Sequence, residues 1–316
     1  IFNYGMNIKD IIKNNLYGVD ILDYNIKRAK ILLAIYGLIH KEIISEYDIN
    51  LKLDDSLQCY FNNKSIDFNG EKKYFFDKIL GNPPYVRFQD LSNNSRNFLA
   101  QKWDSIKGGS FNLYFAFFEL GFNLLSENGK LGYITPNNYF TSLSGKSLRD
   151  FFTKTKSICK IVDFSHKKVF EARTYTAITF LNKNYNNVIY YDRIKNDETL
   201  TFFLDHLNYS KNNLNDLKIK KWRLLKDDER ENIYKIENTG ISLKNLFEIS
   251  VGIATLKDDL YFINSHYQDN NFYIKKFKKY TFFIEKNITK KIYKISDFKN
   301  NDEIIINNRR IIFPYK

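Results

Sequence analysis

The chain has 316 residues, 43% hydrophobic and 27% charged, a length that suits about two domains with a sizeable core. That composition excludes collagen-like, disulfide-scaffold and wholly disordered chains, and no apolar run reaches the roughly 18 residues that a membrane helix needs. The 49 Lys and Arg against 36 Asp and Glu give a net charge of +13, which suits a polyanion, nucleic acid above all, or simply a self-repelling soluble surface. In chain order, the first residue is Ile1 and the one Met is Met6. No basic-then-apolar leader is visible, so the expectation is a start inside a longer reading frame. Leu16-Tyr17-Gly18-Val19-Asp20-Ile21 reads as a short strand ending in an acid. From Asn25 to Ile39 apolar residues recur at helical spacing (Ile26, Ala29, Leu32, Leu33, Tyr36).

Phe75 to Leu80 reads as a second, buried strand, stopped by Gly81-Asn82-Pro83-Pro84. Phe111 to Leu125 is a strongly apolar helix, Glu127-Asn128-Gly129-Lys130 a turn, and Leu131 to Ile134 a strand. Leu148 to Phe152 is expected as helix, with Ile158 to Phe164 and Thr176 to Leu181 as strands. Strand–helix alternation up to about residue 185 predicts a doubly wound α/β domain, whose ligands sit at the carboxyl ends of strands. Asp20 and Asn82 both fall at such ends.

Residues 186–240 are polar and Asn/Lys/Asp-rich and read as a connecting region. A second unit, mixed α/β or β-rich, is expected over 241–316, beginning with Leu246-Phe247-Glu248-Ile249 and Val251-Gly252-Ile253-Ala254-Thr255. Residues 271–316 hold ten Lys and two Arg against two Asp and two Glu, a net +8. Phe272, Tyr273, Phe277, Tyr280, Phe282 and Phe283 are interleaved, a pattern for a nucleic-acid surface or for core rings beneath solvated lysines. Ile304 to Tyr315 reads as strand, turn and strand. Cys59 and Cys159 stand far apart with no Cys or His at ligand spacing, so no metal site is expected. So few cysteines fit a cytoplasmic protein.

Asn82-Pro83-Pro84-Tyr85 is the segment that carries chemistry. Two prolines fix φ and remove two backbone donors, so the carbonyl before each is held outward. An Asn side-chain oxygen beside such a carbonyl gives two acceptors aimed at one point. That pair suits an exocyclic NH₂, holding both N–H bonds and directing the nitrogen lone pair at an electrophile. Tyr85 offers a flat face to a planar ring. Positioning would be the main source of rate. As a bare tetrapeptide the same residues also suit a plain turn.

After a strand of Phe76-Asp77-Lys78-Ile79-Leu80, the motif makes the chain resemble the NPPY (gamma) class of S-adenosyl-L-methionine-dependent adenine-N6 DNA methyltransferases. It is most similar to the catalytic regions of type IIG restriction–modification enzymes and related phage-defence methylases. The resemblance runs from about Leu16 to Tyr315. It implies a Rossmann-like methyltransferase domain over 1–185 followed by the start of a target-recognition domain over 241–316. It also implies S-adenosyl-L-methionine as cofactor and double-stranded DNA as partner. Asp20 would then bind the cofactor ribose with Ile21 on its adenine. Asp55 and Ser56, in Leu53-Asp54-Asp55-Ser56-Leu57, would lie near the adenine amine, although Asp54 replaces the family's Gly. Phe117 would close over the adenine. Phe170, in Lys168-Val169-Phe170, would stack on the flipped target base opposite Tyr85, since chemistry on a base inside a duplex requires extrusion.

Two features depart from the family. Its Gly-rich cofactor loop and first strand do not precede Asp20, so the resemblance places them upstream of Ile1. No fused nuclease is visible, and Phe283-Ile284-Glu285-Lys286 lacks a partner acid for a nuclease site. Two other functions stay open: methylation of a protein glutamine amide, which also uses Asn-Pro-Pro-Tyr, and a non-catalytic DNA-binding or specificity fragment.

Overall fold

A computed structural model describes residues 5–313 except 69, 108, 171–173, 250, 251, 254, 256 and 295–297. The chain divides into two units, Ile1–Thr239 and Gly240–Lys316.

The first unit begins with α1 (Ile8–Asn15), β1 (Tyr17–Asp20), α2 (Asp23–Ile39) and β2 (Asn50–Leu53). β1 and β2 pair in parallel as a separate two-stranded sheet, with α2 as their crossover. There follow α3 (Ser56–Asn63), the hairpin β3 (Ile66–Phe68) and β4 (Glu71–Lys73), β5 (Phe76–Gly81), α4 (Asn93–Lys102), α5 (Tyr114–Asn123), β6 (Leu125–Pro136) and α6 (Lys146–Thr155). The unit ends with β7 (Ile158–Asp163), β8 (Thr176–Leu181), β9 (Val188–Arg193), α7 (Leu200–Asp205), β10 (Ser210–Asn213) and α8 (Asp227–Glu237). The larger sheet has the order β10-β9-β7-β8-β6-β5. β5 and β6 run parallel, as do β7 and β9, while β8 lies antiparallel between β6 and β7. The class is α/β. Gly81 pairs with Tyr133, Pro136 with Thr176 and Asp163 with Ala177. The carboxyl ends of β5, β6 and β7 and the start of β8 therefore share one end of the sheet.

The core is aromatic. On α5, Tyr114, Phe115, Ala116 and Phe118 are wholly buried. A Cβ on Gly121 would stand 2.2 Å from Leu131 Cδ1, so the bare glycine lets α5 lie directly on β6.

Several expectations are corrected. Residues 186–240 do not merely connect: β9 and β10 extend the sheet. Ile189 and Tyr191 are buried while Tyr190 is exposed, a period of two masked by the surrounding Asn and Lys. The buried Arg149 of α6 donates to the carbonyls of Tyr139, Ser142, Ile219 and Lys220, tying this stretch down beside buried Trp222. Among the described residues β5 pairs with β6, and Leu80 is 81% exposed. Residues 127–130 are not a turn ahead of the strand, which already begins at Leu125. Phe76 pairs with Leu125 but Lys78 with Lys130, so 126–129 bulge out of β6. α5 is shorter than its apolar run.

The second unit has one-turn helices α9 (Leu243–Leu246) and α10 (Asp258–Tyr261), with α11 (Asn301–Ile305) near its end. β11 (Phe262–Asn264), β15 (Thr289–Lys291) and β16 (Arg309–Ile312) form one antiparallel sheet. β12 (Gln268–Asp269), β13 (Phe272–Phe277) and β14 (Tyr280–Glu285) form another. Ile304 and Ile305 end a helix rather than form a strand, because Asn300 caps that helix by accepting from the Glu303 N–H at 3.0 Å. Val251, Ala254, Pro314 and Tyr315 lie outside the described residues.

Candidate active site

The two prolines end β5, and the chain turns with Asn82 exposed and Pro83 buried. The half-buried Tyr85 turns its hydroxyl back toward the sheet, 2.6 Å from Asn82 Oδ1 and 3.1 Å from the Ile134 carbonyl of β6. The phenol has one proton to give, and Asn82 is the nearer acceptor. An amide oxygen has two lone pairs, so Asn82 keeps one for an incoming donor. Burial raises the Tyr85 hydroxyl above its ordinary pKa. Its ring meets Tyr114 edge-on at 6.3 Å.

The residues just after the motif are tied to the start of α5. Leu113 N–H donates to the Val86 carbonyl, and Phe88 N–H to the Phe111 carbonyl, each at 2.9 Å. This frame, which sequence reasoning missed, holds the Asn82 corner and α5 together. On α5, Phe117 is half-buried between wholly buried Ala116 and Phe118, so it is the ring left partly open.

Asp20 lies at the carboxyl end of β1. Its Oδ1 accepts from Leu22 N–H at 2.8 Å and its Oδ2 from Asn25 Nδ2 at 3.0 Å. Each oxygen keeps a lone pair, enough for two vicinal hydroxyls. Ile21 beside it is exposed. The neighbouring strand end is bound to the same point, for Asp54 N–H donates to the Asp20 carbonyl at 3.1 Å. Asp55 caps α3: its Oδ1 accepts from Leu57 and Gln58 N–H, and its Oδ2 from Gln58 Nε2. Ser56 is the first residue of that helix. Asp55 thus has less capacity to spare than Asp20, chiefly at Oδ2.

Phe170 sits in the β7–β8 loop, 38% exposed, while Val169 beside it packs against the buried cluster of Val162, Phe164, Ile194 and Phe203. The loop springs from the sheet end that carries Asn82. Tyr114, Asn137 and Asn138 line the same end, with the Tyr114 hydroxyl 3.0 Å from Asn138 Oδ1 and 3.2 Å from the Pro136 carbonyl, either of which can take its proton. A polar pair directly after a strand-ending Pro136 was the signal by which Asn137 and Asn138 could have been found.

Among known proteins, the Eco57I restriction-modification methylase family matches residues 14–170. The chain is similar to the type II restriction enzyme and methyltransferase RM.Eco57I of Escherichia coli. Identity is 26%, across 98% of this chain and 33% of that protein. It is also 26% identical to the type II methyltransferase M.AccI of Acinetobacter calcoaceticus, across 71% of this chain and 42% of that one. The chain therefore spans well under half the length of these curated relatives. A solved structure of a nuclease-deletion mutant of the type ISP restriction-modification enzyme LlaGI, with a DNA substrate mimic, shares the fold. Its TM-score is 0.52 at 18% identity, covering 82% of this chain and 28% of that one.

Proposed function

Residues 14–170 belong to the Eco57I restriction-modification methylase family, and from that premise we propose that the parent protein methylates adenine N6 at a specific site in duplex DNA. The observation that carries the reading is the Asn82–Tyr85 corner, where a half-satisfied amide oxygen sits beside an aromatic ring at the carboxyl end of β5. S-adenosyl-L-methionine, when bound, supplies an electrophilic methyl group. Asp20 would hold its ribose hydroxyls, Ile21 and Phe117 would pack on its adenine, and Asp55 with Ser56 would lie near the adenine amine. Asn82 Oδ1 and the Pro83 carbonyl would accept the two N–H bonds of the target amine and so orient its lone pair. Pro84 fixes that carbonyl. Tyr85 and Phe170 hold the two faces of the extruded base and offset its lost stacking. The methylated amine would lose its proton to water after the transfer, so no side-chain base is required.

The DNA partner is favoured by the second unit. Lys278 and Lys279 form the tip of the β13–β14 hairpin, and Tyr280, Phe282 and Phe283 are exposed beside them. A two-stranded ribbon of this kind fits a major groove, with charges on phosphates. Among the described residues no helix is long and apolar enough to cross a membrane, and a cytoplasmic setting is part of the proposal.

The test uses the full-length protein, S-adenosylmethionine and unmethylated DNA, followed by nucleoside mass spectrometry. N6-methyladenine is expected. Asn82→Ala should lower its formation by about 100-fold or more while leaving DNA binding nearly intact. Undiminished turnover in Asn82→Ala, or methyl found on cytosine or on a glutamine amide, would overturn the reading.

A further inference from the structure

Three elements meet on one carboxylate at the carboxyl end of β7. Asp163 is 5% exposed. Its Oδ1 accepts from Asn137 Nδ2 and from Ser165 N–H, both at 2.9 Å, and its Oδ2 from the Tyr191 hydroxyl at 2.8 Å. Each donor comes from a different piece of the chain. Asn137 directly follows β6, Ser165 opens the loop that carries Phe170, and the buried Tyr191 stands within β9. The far end of the same loop is held too, because Asn137 N–H donates to the Tyr175 carbonyl at 3.0 Å. Asn137 thus binds both ends of the 164–175 loop, one through Asp163 and one directly. Ser165 has φ of 48°, a left-handed conformation that serine seldom adopts and that the bond to Asp163 helps to hold.

On the other side, the Ile134 carbonyl that receives the Tyr85 hydroxyl lies three residues before Asn137 on the same chain segment. The carboxylate therefore connects the support of Tyr85 with the support of Phe170. Hydrogen bonds to a buried charge are stronger and more directional than those between neutral groups, which suits such a junction to fixing two surfaces relative to each other.

We propose that Asp163 is a positioning residue that, through Asn137 and Ser165, sets the Phe170 loop against the Tyr85 shelf and so fixes the slot for the extruded base. The proposal rests on the functional reading above. A purely structural junction would show its loss in stability. A positioning junction would show it in extrusion and turnover.

The experiment uses the full-length protein once its methylated site has been mapped by sequencing. A duplex with 2-aminopurine at the target position reports base extrusion by fluorescence. Asp163→Asn and Asn137→Ala are expected to lower kcat by about tenfold or more and to lose most of the fluorescence rise. KM for S-adenosylmethionine should stay near wild type in both, and the thermal midpoint near wild type in Asn137→Ala, whereas Asp163→Asn leaves buried donors unpaired and lowers its midpoint. If Asp163→Asn does not fold, Asn137→Ala decides, since it removes one bond and leaves the carboxylate its other two donors. Normal kcat and fluorescence in a stable Asn137→Ala, or a lowered midpoint with kcat unchanged, would overturn the inference alone. Absence of methylated adenine with the wild-type protein would instead sink the functional reading, and this inference with it.

Discussion

The Asn82 corner and the Asp20 corner both stand at the carboxyl ends of parallel strands, yet they are supported differently. The first rests on a six-stranded sheet backed by α5, where Tyr114, Phe115 and Phe118 are wholly buried. The second rests on a two-stranded sheet packed by α2, of whose 17 residues Ile26 and Gly37 are buried while Leu32 and Leu38 are each 63% exposed. The corner proposed to place an amine within bonding distance is held by tertiary packing, as catalysis by positioning requires. The acids of the other corner are held by their own neighbourhood. Asp20 binds Leu22 N–H two residues on, and Asp55 caps its own helix. Short-range hydrogen bonds can orient a carboxylate without a core around it.

The strongest way to break this contrast is to loosen the packed side. Arg149→Ala frees four carbonyls around α6, of which that of Tyr139 is buried. It is expected to cost about 3 kcal/mol or more, read as a lower urea midpoint of the full-length protein. A cost near zero would mean that water replaces the guanidinium and that the large sheet is less tightly organised than its burial implies.

A smaller effect comes from Glu119, on α5 and buried, which accepts from Ser105 N–H at 2.7 Å. Burial, the largest cause, raises its carboxyl pKa above 4.5 in the fold. The folded state then favours the protonated form. Its contribution is most favourable below pH 4.5 and is lost as pH rises from there through the folded value. Glu119→Gln keeps the acceptor and removes the charge, so its urea midpoint should gain on wild type between about pH 4 and pH 7. A gap independent of pH would show that Glu119 is not desolvated.

The smallest effect is expected on α2, where Leu32→Ser should change stability by about 0.5 kcal/mol or less. A loss of several times that amount in a thermal or urea titration would mean that this apolar face is covered in solution, and the contrast between the corners would fall.

Legibility in the sequence followed the same line. β1, α2, β7 and β8 were readable from apolar spacing, and Asn82-Pro83-Pro84-Tyr85 from its own chemistry, because each depends on residues close in sequence. Ile304–Ile305 was misread as strand, since three isoleucines outweighed the Asn300 cap that makes the segment helical. β9 and β10 were missed because Asn and Lys dilute the alternation of Ile189 and Tyr191. Asp163 carries no signal in the sequence. Its partners Asn137 and Tyr191 lie 26 and 28 residues away.

By itself the sequence determined the α/β class, the place of the Asn-Pro-Pro-Tyr motif at a strand end, and the basic aromatic character of the last stretch. These are matters of local backbone preference and of composition. Tertiary structure alone decided that β5 pairs with β6 and that residues 186–240 belong to the sheet. It also decided that Tyr85 leans on β6 and that one buried carboxylate joins β6, β9 and the Phe170 loop. Each of those depends on which strand lies beside which, and neither propensity nor periodicity encodes strand order.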